Sequence, residues 1–132
     1  MPGGRVVVVD APVDVIPVFV RAGAVLPMIP DDVMTLVPQS ESGNSTVKSL
    51  DDRRVYEVVG AGDASITDFE GRTVVRRGRS LKISGESVAH VIVRWRFGKP
   101  EHVMVNGVEA QMGEGGLSVE FDHLKESVVA WQ

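Results

Sequence analysis

Apolar residues in this chain recur at alternate positions and never hold a helical spacing over a long segment, which restricts the fold to sheets of short strands. The clearest element is HVIVRWRF at His90 to Phe97. There Val91, Val93, Trp95 and Phe97 alternate with His90, Ile92, Arg94 and Arg96, so one face predicts core and the other a mostly wet surface. Further strands are predicted at Val55 to Val59, Ala64 to Phe69, Arg72 to Arg76 and Ser80 to Ile83, between turns rich in Gly, Asp and Glu. Asn106-Gly107 tolerates the positive φ angles of a type I′ turn and joins Val103-Met104-Val105 to Val108-Glu109-Ala110 as a hairpin. Leu117, Val119 and Phe121 then alternate toward a core, a short helical turn is expected at His123 to Glu126, and Val128 to Trp131 closes the chain. This spacing predicts an all-β fold, an antiparallel β-sandwich.

Before Leu50 the pattern is less regular. Arg5 to Val9, Ile16 to Arg21 and Ala24 to Met28 read as strands, the last two separated by Ala22-Gly23. Pro12 and Pro17 lack an amide donor, which assigns this part to sheet edges or bulges of an incomplete neighbouring sheet. From Pro30 to Asp52 the residues turn polar and small, and QSESGNST at Gln39 to Thr46 predicts a loop or linker.

A chain of 132 residues can build one core of its own. Fourteen basic and 18 acidic residues give a net charge of −4, which supplies no general attraction to nucleic acid or anionic lipid. The absence of cysteine excludes disulfides, thiolate metal sites and a cysteine nucleophile. Val15 to Ile29, the longest apolar stretch, is interrupted by Pro17, Arg21, Gly23 and Pro27 and predicts no membrane span. The N-terminus has no signal-peptide pattern, so the compartment stays open with the cytoplasm favoured.

The stretch Ala11-Pro12-Val13-Asp14-Val15-Ile16-Pro17-Val18-Phe19-Val20-Arg21-Ala22-Gly23-Ala24-Val25-Leu26-Pro27-Met28 is similar to a segment of glycoside hydrolase family 31, which includes α-glucosidases and α-xylosidases. In those enzymes an APLD-x-IPVFVR-x-G-x-xxP segment lies in the β-sandwich that follows the catalytic barrel. Val13 stands where the family usually has leucine. Asp63 to Thr73 resembles the family's more distal sandwich, with its Tyr-Glu-Asp-Asp-Gly type turn reduced to Asp68-Phe69-Glu70-Gly71, and the VMVNG hairpin resembles one near the end of such domains. The resemblance implies a remnant of the proximal sandwich at residues 1–38, a loop or linker at 39–52 and a distal-type sandwich at 53–132. The family's nucleophile and acid carboxylates belong to barrel segments upstream, so the resemblance carries no catalytic residue onto this chain.

The residues themselves point the same way. Asp31-Asp32 and Asp51-Asp52 lie in polar loops without a catalytic motif, and paired acids there are ordinarily solvated turn residues. His90, His102 and His123 are too scattered for a metal motif and read as surface histidines. Arg72, Arg76, Arg77, Arg79 and Lys82 form either a phosphate-binding patch or, more simply, a charged edge that deters aggregation.

The expected role is therefore a non-catalytic accessory domain that packs on and stabilises a glycosidase barrel, in cis or in trans, or hides the same surface by self-association. Val18, Val20, Arg21 and Val25 are the expected partner-facing residues. The alternatives are a carbohydrate-binding module, for which Tyr56 and Trp131 are the candidate sugar contacts, and a protein-interaction sandwich using an unpaired edge. Trp95 shares the face of Val91 and Val93 and is expected in the core, and Phe69 is a further aromatic candidate. No cofactor, metal, nucleic acid or membrane is expected as a partner.

Overall fold

The computed structural model describes Gly4 and residues 6–31, 52–87 and 89–132. Among these residues ten strands follow one another: β1 (Val25–Met28), β2 (Arg53–Val58), β3 (Ala64–Thr67), β4 (Thr73–Arg77), β5 (Ser80–Ser84), β6 (Ala89–Trp95), β7 (Val103–Val105), β8 (Val108–Glu109), β9 (Ser118–His123) and β10 (Glu126–Trp131). They form a four-stranded sheet in the order β1-β2-β6-β9 and a six-stranded sheet in the order β3-β4-β5-β10-β7-β8. The pairing is antiparallel except between β2 and β6, which run parallel with Arg54 opposite Val91 and Val58 opposite Trp95. The chain is an all-β sandwich, as its alternation predicts.

The core fills the space between the sheets. Val25, Tyr56, Val58, Val91, Val93, Trp95 and Val119 come from the four-stranded sheet, and Val74, Leu81, Ile83, Val103 and Val129 meet them from the other. Successive strand residues face opposite ways, so Val55, Glu57, Val59 and Ile92 lie on the outer face of β2 and β6. They too are buried, and the face expected to be wet is covered at the centre of the sheet. Strands in a parallel pair are characteristically enclosed on both faces.

Asn106 at φ 52° and Gly107 at φ 81° make the expected hairpin turn between β7 and β8. His123 to Glu126 is no helical turn: β9 runs through His123, and β10 starts at Glu126. Phe97 follows the end of β6 and is exposed, which removes it from the core face on which alternation put it.

The N-terminal segment departs furthest from expectation. Residues 6–9 and 16–21 have no strand pairing. Their β-branched side chains favour an extended backbone, but a strand also needs a neighbour for its amides, and Pro12 and Pro17 interrupt the donors. Among its described residues only β1 joins a sheet, pairing with β2 so that Val25 faces Val58 and Met28 faces Val55. The segment assigned to a neighbouring sandwich thus supplies an edge strand of this one. Residues 39–51 of the expected linker, with Asp32, lie outside the described residues.

Two glycines make that attachment possible. The Ala24 amide donates to the Arg21 carbonyl at 3.1 Å, closing a turn with Gly23 at φ 87°, and Gly23 and Val59 extend the ladder through an N–H···O bond of 2.8 Å. A Cβ on Gly62 would stand 2.8 Å from the Gly23 Cα, so the two backbones touch where neither has a side chain. Gly62 is also at φ 140°, a conformation that other residues rarely adopt. Gly62→Ala is expected to lower stability by more than about 1 kcal/mol. Urea denaturation checks this, and β1 amides should lose hydrogen-exchange protection before those of β5 and β10.

Candidate functional site

Because β2 and β6 are parallel, they leave the sandwich at the same end, and their exits bracket a cleft. Gly60 and Ala61 follow β2; Trp95, Phe97, Gly98, Lys99 and Pro100 end and follow β6; Arg76, Gly78 and Arg79 come from the β4–β5 hairpin, and Trp131 and Gln132 from the end of β10. The cleft has a volume of about 320 Å³, at the lower end of the roughly 300–1,000 Å³ usual for small-molecule sites.

An aromatic and cationic stack forms its inner wall. The Trp95 and Trp131 rings meet edge to face across the two sheets, with centroids 5.5 Å apart and planes at 69°. The Arg76 guanidinium lies over the Trp131 ring at 5.6 Å. Arg76 is buried, and its Nη1 donates to the Val59 carbonyl at 3.1 Å, its Nε to the Gly78 carbonyl at 3.1 Å and its Nη2 to the Gly60 carbonyl. Carbonyls satisfy its donors without neutralising its charge. Burial lowers the Arg76 pKa below the ordinary guanidinium value, against the opposing field of Asp63, yet it remains a cation at neutral pH.

Trp131, expected as a sugar contact, is thus half-buried in the cleft wall. Tyr56 is not available for one. It is fully buried, and its hydroxyl donates to Asp68 Oδ2 at 2.6 Å. The same carboxylate accepts Arg72 Nε at 2.8 Å and, through Oδ1, the Arg72 amide at 2.8 Å. Arg72 Nη2 continues to Glu70 Oε2 at 2.7 Å, and Glu70 Oε1 accepts from Arg54. The turn Asp68-Phe69-Glu70-Gly71 is therefore tied to β2 from inside, while Phe69 stands fully exposed at its tip.

This network corrects the reading of the basic cluster. Arg72 and Arg76 are fully buried, each with its own structural partners, and only Arg77, Arg79 and Lys82 remain at the surface. Arg77 lies 3.7 Å from Asp63, and Lys82 pairs with Glu126 at 2.7 Å. His123 is likewise buried rather than superficial: Gly85 O can only accept, so Nε2–H donates to it at 3.1 Å, and Nδ1 accepts the Ser127 hydroxyl at 2.9 Å. His90 and His102 are solvent-accessible, as expected, beside Asp122 and Glu109.

Of the expected partner-facing residues, Val18, Val20 and Arg21 are exposed and Val25 is not. Val25 belongs to this chain's own core, because β1 turns it inward toward Tyr56 and Val58. The cleft itself was legible only in part. Trp131 was a candidate, but Phe97, Arg79 and Lys99 are brought to it by the parallel pairing, which strand periodicity does not reveal. Asp31, one of the paired loop acids, is 2.8 Å from Arg94 in an ion pair. Among the described residues no cluster of three His, Cys, Asp or Glu side chains is suited to a metal ion. No family model, curated protein or solved structure matches the chain.

The buried network determines how stability responds to acid. Burial, followed by the field of Arg72, lowers the His123 pKa below its ordinary 6.5, despite the Gly85 carbonyl that favours the charged form. Its neutral form is favoured in the folded state, so stability is complete above about 6.5 and falls as pH drops and the unfolded chain takes up the proton first. Burial would raise the Asp68 pKa, but hydrogen bonds from Tyr56 and Arg72 outweigh it and hold the carboxylate below 3.8, adding a second loss of stability below that pH. Denaturation between pH 8 and 3 should show both losses, and His123→Gln should abolish the first. Tyr56→Phe, which removes one donor from Asp68, should cost about 1–3 kcal/mol at pH 7.

Proposed function

We propose that this chain is a non-catalytic accessory β-sandwich of the glycoside hydrolase family 31 type, packing on and stabilising a catalytic barrel carried on the same polypeptide. The supporting observation is the segment that ends in β1. Val6, Val8, Val13, Ile16, Val18 and Phe19 are each at least 66% exposed, and among the described residues this apolar run pairs with no strand. A run of that kind is costly to leave in water, and a neighbouring domain would both cover its side chains and pair its backbone. The same stretch carries the sequence resemblance. Phe69, held out by the rigid Asp68–Arg72 turn, is a second apolar point that a neighbour would cover.

In this role the chain supplies packing area and no reacting group. The sandwich is anchored by its own core, while residues 6–20 act as the strap between the two bodies. Sugar specificity then resides in the barrel.

An antibody raised against the sandwich should detect a native polypeptide several times larger than 14.2 kDa in the source cells. A band at 14.2 kDa with no larger form overturns the proposal. In a separate measurement on the 132-residue chain, deleting residues 1–20 should leave the unfolding free energy within about 1 kcal/mol and abolish self-association in sedimentation velocity.

A further inference from the structure

The accessory role makes no use of the cleft at the β2 and β6 exits, although two independent features there point to a ligand. One is aromatic. Phe97 is 65% exposed and Trp131 partly so, so the mouth keeps flat apolar surface in water although both residues adjoin a well-packed core. The other is charge. Arg76, Arg79 and Lys99 line the cleft, no Asp or Glu side chain does, and among the described residues neither Arg79 nor Lys99 has a carboxylate partner. A chain with a net charge of −4 thus brings three cationic side chains to one concave place.

We propose that this cleft binds an acidic saccharide: a single pyranose carrying one anionic group, with its apolar ring face on Trp131 and Phe97 and its anion between Arg79 and Lys99. The volume of about 320 Å³ fits one ring rather than a chain of them. Arg76 takes no direct part. Its donors are occupied by the carbonyls of Val59, Gly60 and Gly78, and it holds Trp131 in place while adding positive field at the floor. Lys99 is positioned by Gly116, whose missing side chain leaves the space over which the lysine folds. A purely aromatic acid would satisfy the ring surface and the cations, and the Gly78 N–H and carbonyl are already taken by Asp63 and Arg76, but the wall also presents exposed backbone at Gly98, where nothing stands within 4 Å of a Cβ position. That exposed backbone suits hydroxyls, which a sugar has and an aromatic acid lacks.

This site is independent of the apolar strap, so either proposal can fail alone. The test is a titration of the isotope-labelled 132-residue chain, followed by amide and indole NMR shifts, with methyl glucuronide, glucose 6-phosphate, methyl glucoside and acetate. At least one acidic sugar should bind about tenfold or more tightly than methyl glucoside and than acetate, with shifts at the Trp131 indole and the Phe97–Lys99 amides. The stronger of the two acids identifies the anion as a carboxylate or a phosphate. Arg79→Gln with Lys99→Gln changes two exposed side chains, and it should reduce the acidic sugar to the affinity of the neutral one. Equal binding of acidic and neutral sugars, acetate as strong as the acids, no binding by either acid, or an unchanged affinity in the double variant overturns the proposal.

Discussion

The parallel register of β2 and β6 is the constraint from which the remaining architecture follows. Parallel neighbours cannot be joined by a tight turn, so the chain must leave the sheet and return. Here the return path is itself structural: β3, β4 and β5 lie between β2 and β6 in sequence and form half of the opposing sheet. A single connection thereby builds the second layer over the first. It also sends both strands out at one end, and Gly60 and Gly98 meet there with the tip of the β4–β5 hairpin.

Two buried arginines hold that crossover, by different chemistry. Arg72 is neutralised: Asp68 and Glu70 accept from it, and the tyrosine hydroxyl completes the shell around Asp68. Removing one member of such a group is costly because a charge is left unpaired, on the order of 3–5 kcal/mol, even where the intact group contributes little net stability. Arg76 instead caps the carbonyls at the end of β2 and leans on an indole. The first arrangement is closed and structural. The second leaves a net positive field beside solvent, which is why the cleft rather than the Tyr56 network is the candidate site.

Packing and function divide along the chain accordingly. The sandwich from β2 onward has an enclosed core and pairs its buried Tyr56 and His123 internally. Upstream of β1 the described residues have the side chains of a strand without a paired neighbour among them, and the contact of Gly23 with Gly62 fixes where that segment departs. The accessory role proposed for the chain needs this combination of an enclosed body and an exposed apolar segment.

Alternation by itself determined the fold class, the β7–β8 turn and most of the core, because side-chain period and turn chemistry are local properties of residues such as Val91, Val93, Asn106 and Gly107. Periodicity also indicated strands at residues 6–9 and 16–21, but pairing requires a second strand and the local pattern cannot supply it. Tertiary structure alone decided that Tyr56, His123 and Arg76 are interior, since each polar group is buried with a partner distant in sequence, and that Arg72 is interior beside them, bonded to Asp68 and Glu70 of its own turn. It likewise decided that Trp131, Phe97, Arg79 and Lys99 share one cleft. Their proximity follows from strand order and from the parallel pair, and hydrogen bonds between distant segments are not written in the alternation of either.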